Sequence, residues 1–283
     1  MKMKFLAAAF LMTAMSATVP TTANADGPAQ NDGLNATLWL QSSVEYKANA
    51  LGTYRLGTLM LDAALADKSW TAAPNEQMGD FAGKPPAIIL DVDETVLDNS
   101  PYQAWVVIDN NHYHSKTWGP FVNTMISRPV PGSLDFIKTA AAKGIKIFYV
   151  TNRKAPLEPA TRKNLAALGY PVDSSEDTVL TRGEQAAWKS SKKSPRRAHV
   201  TANYRVLMVF GDNFGDFVDG YKGTLAERQA LYEKHDAMWG AKWFMLANPS
   251  YGSWESSTFG GNWRMPSGER RQMKLDALQA WKP

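Results

Sequence analysis

Ala87-Ile88-Ile89-Leu90 is apolar at every position, and this lack of alternation constrains the fold more than any other feature of the chain. A strand with one wet face alternates apolar and polar residues, whereas a strand apolar throughout has to be covered on both faces. The same character returns over Ile145 to Val150, Thr178 to Leu180, Arg205 to Phe210 and Trp243 to Leu246. Helical stretches lie between these runs. Ser133 to Lys143 follows Pro131-Gly132 and stops at Gly144, and Leu157 to Leu168 stops at Gly169. A basic stretch from Gln185 onward reads as helix, broken or restarted near Pro195. Short apolar strands alternating with helices predict an α/β fold, a doubly wound parallel sheet with a Rossmann-like core. Upstream, Leu40, Val44, Ala48 and Leu51 carry a helical period within Leu34 to Ala66. Gly52 and Gly57 weaken the middle of that stretch, so two helices could replace one.

The N-terminus reads as an export signal. Lys2 and Lys4 precede an apolar run, and Ala23-Asn24-Ala25 is a small-x-small cleavage site. Residues 1–25 are therefore expected to be a removed leader, which puts the mature chain in the periplasm or outside the cell. Loss of Lys2 and Lys4 with no acid takes the formal charge from +4 to +2. That balance, with no continuous Lys/Arg block, gives no support to nucleic-acid binding. There are no cysteines, which excludes disulfides, thiol nucleophiles and lipid attachment at the leader junction. No stable membrane anchor is expected.

In a doubly wound sheet, ligands sit beyond the carboxyl ends of the strands. The first strand ends in Asp91-Val92-Asp93-Glu94-Thr95. Side chains alternate along an extended chain, so Asp91 and Asp93 point the same way. Adjacent carboxylates repel unless one is protonated or a cation neutralises them, and a divalent ion with oxygen ligands is the simplest resolution. One carboxylate could then attack phosphorus while the other manages protons. A lone D-x-D, however, is more often a pair of turn or capping residues. The second strand ends in Thr151-Asn152-Arg153, where a hydroxyl, a backbone N–H and a guanidinium could meet phosphate. A basic run, Lys189 to Arg197, could place one lysine beside it. The fourth strand ends in Gly211-Asp212-Asn213-Phe214-Gly215-Asp216, bringing further acids to the same edge. Each signal is weak alone, but together they follow successive strands of one inferred sheet.

These segments resemble the motifs of the haloacid dehalogenase (HAD) superfamily, in the branch of bacterial class C acid phosphatases and lipoprotein-type nucleotidases. Ile89-Leu90-Asp91-Val92-Asp93-Glu94-Thr95 resembles the first motif and Val150-Thr151-Asn152-Arg153 the second. Lys193-Ser194-Pro195-Arg196-Arg197 and Gly211-Asp212-Asn213-Phe214-Gly215-Asp216-Phe217 resemble the third and fourth, and Asn248 to Glu255 a C-terminal stretch. The resemblance implies a HAD-like phosphatase domain over 26–283. Its core would span about 84–98 and 129–255, with a small, mainly helical cap from about 30–80 plus 99–128. It implies Asp91 as nucleophile and metal ligand. Asp93 would be general acid/base, reaching the metal through its backbone carbonyl. Thr151, Asn152 and Lys193 would bind the phosphoryl group, with Asp212 the other metal ligand and Asp216 beside it. Choosing Lys193 over Lys192 rests on alignment to the arginine pair. Mg2+ is the implied cofactor.

The expected function is hydrolysis of small phosphate monoesters, nucleoside monophosphates among them, through an aspartyl-phosphate. Tyr102, Trp105, Trp118 and Tyr221 flank the motifs and could stack on an aromatic leaving group, although cap packing is the simpler role. His112 and His114 form H-x-H without a third ligand and read as a cap loop. A homodimer is compatible with the chain. Two rival readings stay open: an exported binding or adhesion protein on the same fold, and phosphoryl transfer to an acceptor hydroxyl.

Overall fold

The computed structural model describes residues 31–282. The expected leader, 1–25, lies outside the described residues. Five parallel strands form the central sheet: β1 (Pro86–Leu90), β4 (Lys146–Lys154), β5 (Val179–Arg182), β6 (Arg205–Gly211) and β7 (Trp243–Met245), in the order β5-β4-β1-β6-β7. A short antiparallel pair, β2 (Leu97–Asp98) and β3 (Arg128–Pro129), stands apart from it. The fold is HAD-like α/β.

The unbroken apolar runs are explained by two cores, one on each face of the sheet. Ile88 and Leu90 of β1 join Ile147 and Tyr149 of β4, Phe210 of β6 and Phe244 of β7 on one face. Ala87 and Ile89 join Phe148, Val150, Leu180, Val209 and Trp243 on the other. The first face is covered by α2 (Val44–Ala66), α5 (Ser133–Ala142) and α6 (Glu158–Ala167), the second by α7 (Ser194–Asn203) and the aromatic segment after β6. The apolar runs of β1, β4, β5 and β6 are thus withdrawn from water, as period-free apolar strands require. β6 slips by one residue against β1 between Ala87 and Ile88, which absorbs Leu207 as an extra residue.

The N-terminal helical region does divide in two, but at Ser43. α1 (Leu34–Ser42) ends there, and α2 starts with the Ser43 Oγ accepting a hydrogen bond from the Tyr46 N–H at 3.0 Å. A serine in extended conformation that accepts from the third residue on is a strong helix start, and here it decides the break. Gly52 and Gly57 stay helical. Gly57 does so because it is a contact point: a Cβ there would lie 2.6 Å from the Phe210 ring. Phe210 in turn stacks between Tyr54 (5.2 Å) and Phe244 (4.6 Å). This sandwich makes α2 a layer of the core, whereas the sequence assigns all of 30–80 to the cap. Only α1 sides with the cap helices, packing against α3 (Ser100–Ile108).

α3 and α4 (Ser115–Thr124) make up the rest of the cap, inserted between β2 and β3 directly after the first motif. Their rings Tyr102, Trp105, Trp118 and Phe121 form a third apolar cluster. His114, expected in a cap loop, accepts from the Lys116 N–H at 3.0 Å through Nδ1 and starts α4. After β6 come α8 (Leu225–Lys234), α9 (Ser253–Ser256) and the exposed α10 (Ser267–Asp276). Among the described residues, no helix is long and apolar enough to cross a membrane.

The two α2 glycines predict opposite effects of one substitution. Gly57→Ala should cost about 1–3 kcal/mol, because overpacking against Phe210 outweighs the better helix propensity of alanine. Gly52 is exposed with nothing within 4 Å of an added Cβ, so Gly52→Ala should gain about 0.5–1 kcal/mol. Urea denaturation of both variants checks the sign of each.

Candidate active site

All five strands run the same way, so their carboxyl ends share one edge, and the motifs meet there. Asp91 follows β1, tied to β6 by its N–H donating to the Phe210 carbonyl at 2.9 Å. Asp212 follows β6, and Asp216 sits in the short turn after it. Asp91, Asp212 and Asp216 each turn a carboxylate oxygen into one cluster in which these oxygens lie within 4.8 Å of one another. Gly211 makes this approach possible: a Cβ at that position would lie 2.5 Å from the Asp216 Cβ. The Asp216 carboxylate also accepts from the Asn213 N–H at 2.9 Å, closing a capping box that fixes its direction.

Lys193 is buried among these acids. Its ammonium bonds the Asp91 carboxylate and lies 2.7 Å from Asp216. Lys192 points outward, 4.0 Å from Asp219 with most of its side chain in solvent. Of the two neighbouring lysines, Lys193 is thus the one inside the acidic cluster. Burial pushes the Asp91 carboxyl up to about 7, with Lys193 opposing and Asp216 and Asp93 adding to the rise. Burial, with Asp216 and Asp91, pushes Asp212 well above the ordinary carboxylate range. One ammonium does not balance three carboxylates in a buried site. A hard divalent cation held by carboxylate oxygens fits this donor set.

Asp93 faces elsewhere. Its Oδ1 accepts from Arg153 Nε at 2.9 Å and from Asn99 Nδ2 at 2.9 Å, and pairs with the Arg153 Nη2 charge at 2.8 Å. Its carboxylate is therefore no member of the acidic cluster, where Asp216 stands instead, and only its main-chain carbonyl remains for a cation. Arg153, a candidate phosphate cation by sequence, is buried and spent on Asp93. β4 also runs on through the motif to Lys154, so Thr151, Asn152 and Arg153 are strand residues with alternating directions. Thr151 is fully buried beside Asp93 (3.5 Å), whereas Asn152 points outward, bonding the Ser191 carbonyl at 3.1 Å and Arg196 at 2.7 Å. Arg196 additionally bonds the Thr151 carbonyl, which ties the lysine segment to the second motif.

The rings expected to stack on substrate do not offer free faces. Tyr102 and Trp118 are buried in the cap cluster, and Tyr221 packs beneath Gly215, where a Cβ would meet its ring at 2.7 Å. Aromatic residues near a motif satisfy the cap's need for apolar packing before any ligand is present. Of the cap-loop rings, Tyr113 is the exposed one.

Three participants carried no recognisable role in the sequence. Glu94 is buried in a left-handed conformation (φ 56°). It accepts from the Asn99 N–H at 3.1 Å and from the Tyr251 hydroxyl, and burial beside Asp93 pushes it up to about 8. Asn248 donates to Asp212 at 2.8 Å. The C-terminal stretch 248–255 thereby closes on the first and fourth motifs. The only sequence signal for these contacts was the motif-like run Asn248 to Glu255 itself.

A family model described as HAD superfamily, subfamily IIIB (acid phosphatase), matches residues 29–254. The chain belongs to this family of phosphoric monoester hydrolases. The chain is also similar to two structures of the class C acid phosphatase from Bacillus anthracis. The one with tungstate bound is 34% identical, with a TM-score of 0.78, covering 88% of this chain and 98% of that one. The other is 33% identical, with a TM-score of 0.76 and the same coverage. Two soybean (Glycine max) proteins, the stem 28 kDa and stem 31 kDa glycoproteins, are each 22% identical over 138 residues, 48% of this chain. The chain spans about half the length of these curated relatives, 54% and 47% respectively.

In this subfamily IIIB chain, Lys193→Met removes the sole ammonium of the acidic cluster. It should lower kcat/KM for a phosphate monoester about 10²–10³-fold, the usual loss for one preorganised charge contact. Lys192→Met should leave it unchanged. Steady-state kinetics of the two neighbouring variants checks the assignment.

Proposed function

We propose that this chain is a metal-dependent acid phosphatase that hydrolyses small phosphate monoesters through a phospho-aspartate on Asp91. The observation that carries the reading is the convergence of Asp91, Asp212 and Asp216 around Lys193 at the carboxyl edge of the parallel sheet. Binding of tungstate, a tetrahedral oxyanion like phosphate, by an acid phosphatase 34% identical supports a phosphate-ester substrate.

Asp91, Asp212, Asp216 and the Asp93 carbonyl would hold one divalent ion, with Mg2+ the ion we expect. Such an ion supplies charge neutralisation at the transferring phosphoryl oxygens. The chain's own residues supply the rest. Asp91 attacks phosphorus with a carboxylate oxygen. Lys193 offsets charge on the phosphoryl group and holds the nucleophile ionised. Thr151 lies beside that group. Asp93 gives a proton to the leaving oxygen as the ester bond breaks, then takes one from the water that hydrolyses the phospho-aspartate. Charge pairing of this kind has no use in an adhesion protein, which favours the enzyme over that rival. The leader expected at 1–25 would deliver the enzyme to the periplasm or beyond.

The test is release of inorganic phosphate from p-nitrophenyl phosphate by the purified chain at mildly acid pH. Activity should be lost with EDTA and restored by Mg2+. Asp91→Asn should abolish turnover while the far-ultraviolet circular dichroism stays unchanged. Activity that persists in EDTA, or in Asp91→Asn, refutes the mechanism.

A further inference from the structure

Asp93 and its surroundings extend the proposed reaction. The two oxygens of its carboxylate are treated very differently. Oδ1 accepts two hydrogen bonds, from Arg153 Nε (2.9 Å) and from Asn99 Nδ2 (2.9 Å), and the charged Arg153 Nη2 lies 2.8 Å from it in an ion pair. Oδ2 has only a 3.5 Å contact with the Thr151 hydroxyl. An arginine can face a carboxylate as a fork, one N–H to each oxygen. Here both guanidinium nitrogens lie against one oxygen, Nε as hydrogen-bond donor and Nη2 as ion-pair partner, and leave the other uncommitted.

The guanidinium itself has little freedom. Its side chain is 1% exposed. Nη1 donates to Thr161 Oγ1 on α6 at 3.1 Å, and Nη2 also reaches Asn99 Oδ1 at 3.2 Å. The Asn99 amide is held from its other side by the Ser127 hydroxyl at 2.6 Å. From the cap, the Trp118 ring lies 5.6 Å from the guanidinium carbon, within cation–π range. Core helix, inserted cap and the second motif strand thus all fix one arginine, and the arginine fixes one carboxylate oxygen.

We infer that Arg153 is a positioning residue, which anchors Asp93 through Oδ1 so that Oδ2 alone exchanges the proton of the reaction. The inference rests on the reading of Asp93 as acid/base. In the first half-reaction Asp93 carries its proton on Oδ2. The Asp91–phosphorus bond forms, the phosphorus–ester oxygen bond breaks, and the Oδ2 proton passes to the departing oxygen. In the second, Oδ2 takes a proton from water as that water attacks phosphorus and the Asp91–phosphorus bond breaks. The chain and Asp93 return to their starting state. A charge placed to bind phosphate would have to face the Asp91 side of the site. Arg153 is instead committed to Asp93, Asn99 and Thr161, so its effect on catalysis must pass through them.

Dependence on the leaving group separates this role from simple structural support. A nitrophenolate departs without help, whereas an alkoxide needs its proton. Arg153→Met should lower kcat/KM for an alkyl ester such as glycerol 2-phosphate by about 10²-fold or more, the usual worth of a placed general acid. For p-nitrophenyl phosphate it should lower it by less than about tenfold. Arg153→Lys keeps the charge in place and should recover part of the alkyl-ester activity. If Arg153→Met does not fold, as judged by circular dichroism, the comparison is made on Arg153→Lys. With one donor in place of the guanidinium pair, that variant should still lose more on the alkyl ester than on the nitrophenyl ester. Equal losses on both esters, or no loss on either, overturn the inference. Failure of the wild-type chain to hydrolyse p-nitrophenyl phosphate would instead overturn the phosphatase reading beneath it.

Discussion

Like charges brought together at the edge of a sheet are the constraint on which the site depends. Asp91, Asp212 and Asp216 share a space in which carboxylate oxygens lie within 4.8 Å of one another, and burial makes the ionised forms of Asp91 and Asp212 costly. Lys193 offsets part of that cost from within the cluster. The unfavourable remainder is what a divalent cation and a phosphoryl group are suited to relieve. Asp93, two residues from Asp91, escapes the same repulsion by turning its carboxylate to Arg153. A second buried cation thus holds the Asp93 carboxylate apart from that of Asp91, although the two leave the same strand.

The scaffold holds these acids close because it leaves the strands no freedom. Apolar residues bury both faces of β1, β4 and β6, and the Tyr54–Phe210–Phe244 stack presses α2 onto the sheet next to the site. Tyr54 also donates its hydroxyl to the Thr95 carbonyl at 2.6 Å, which bonds the core helix to the loop carrying the first motif. The cap is attached by the small β2–β3 pair directly after that motif. The C-terminal stretch reaches back through Asn248 and Tyr251 to Asp212 and Glu94. Segments far apart in the chain therefore set the direction of each carboxylate.

Much of this was legible in the order of residues. Unbroken apolar runs specify strands covered on both sides, because an exposed face would have selected polar residues. Right-handed crossovers and a shared strand direction then carry whatever follows each strand to one edge, so Asp91, Thr151 and Asp212 could be grouped without coordinates. The helix break was misplaced because Gly52 and Gly57 read as flexibility. The Ser43 cap is a local signal three residues from its partner Tyr46, whereas the packing that keeps Gly57 helical is against Phe210, far along the chain. The aromatic residues could not be sorted by sequence, since a ring that packs and a ring that waits for a ligand look alike there.

The sequence by itself determined the sheet, its edge and the set of acids delivered to it, because strand burial and side-chain alternation are local properties. Only the tertiary structure decided which way each delivered side chain points. Asp216 turned inward, Asp93 toward Arg153, and Lys193 inward while Lys192 turned to water. Those directions are settled by the repulsion, burial and hydrogen bonds among groups that meet only after the chain has folded.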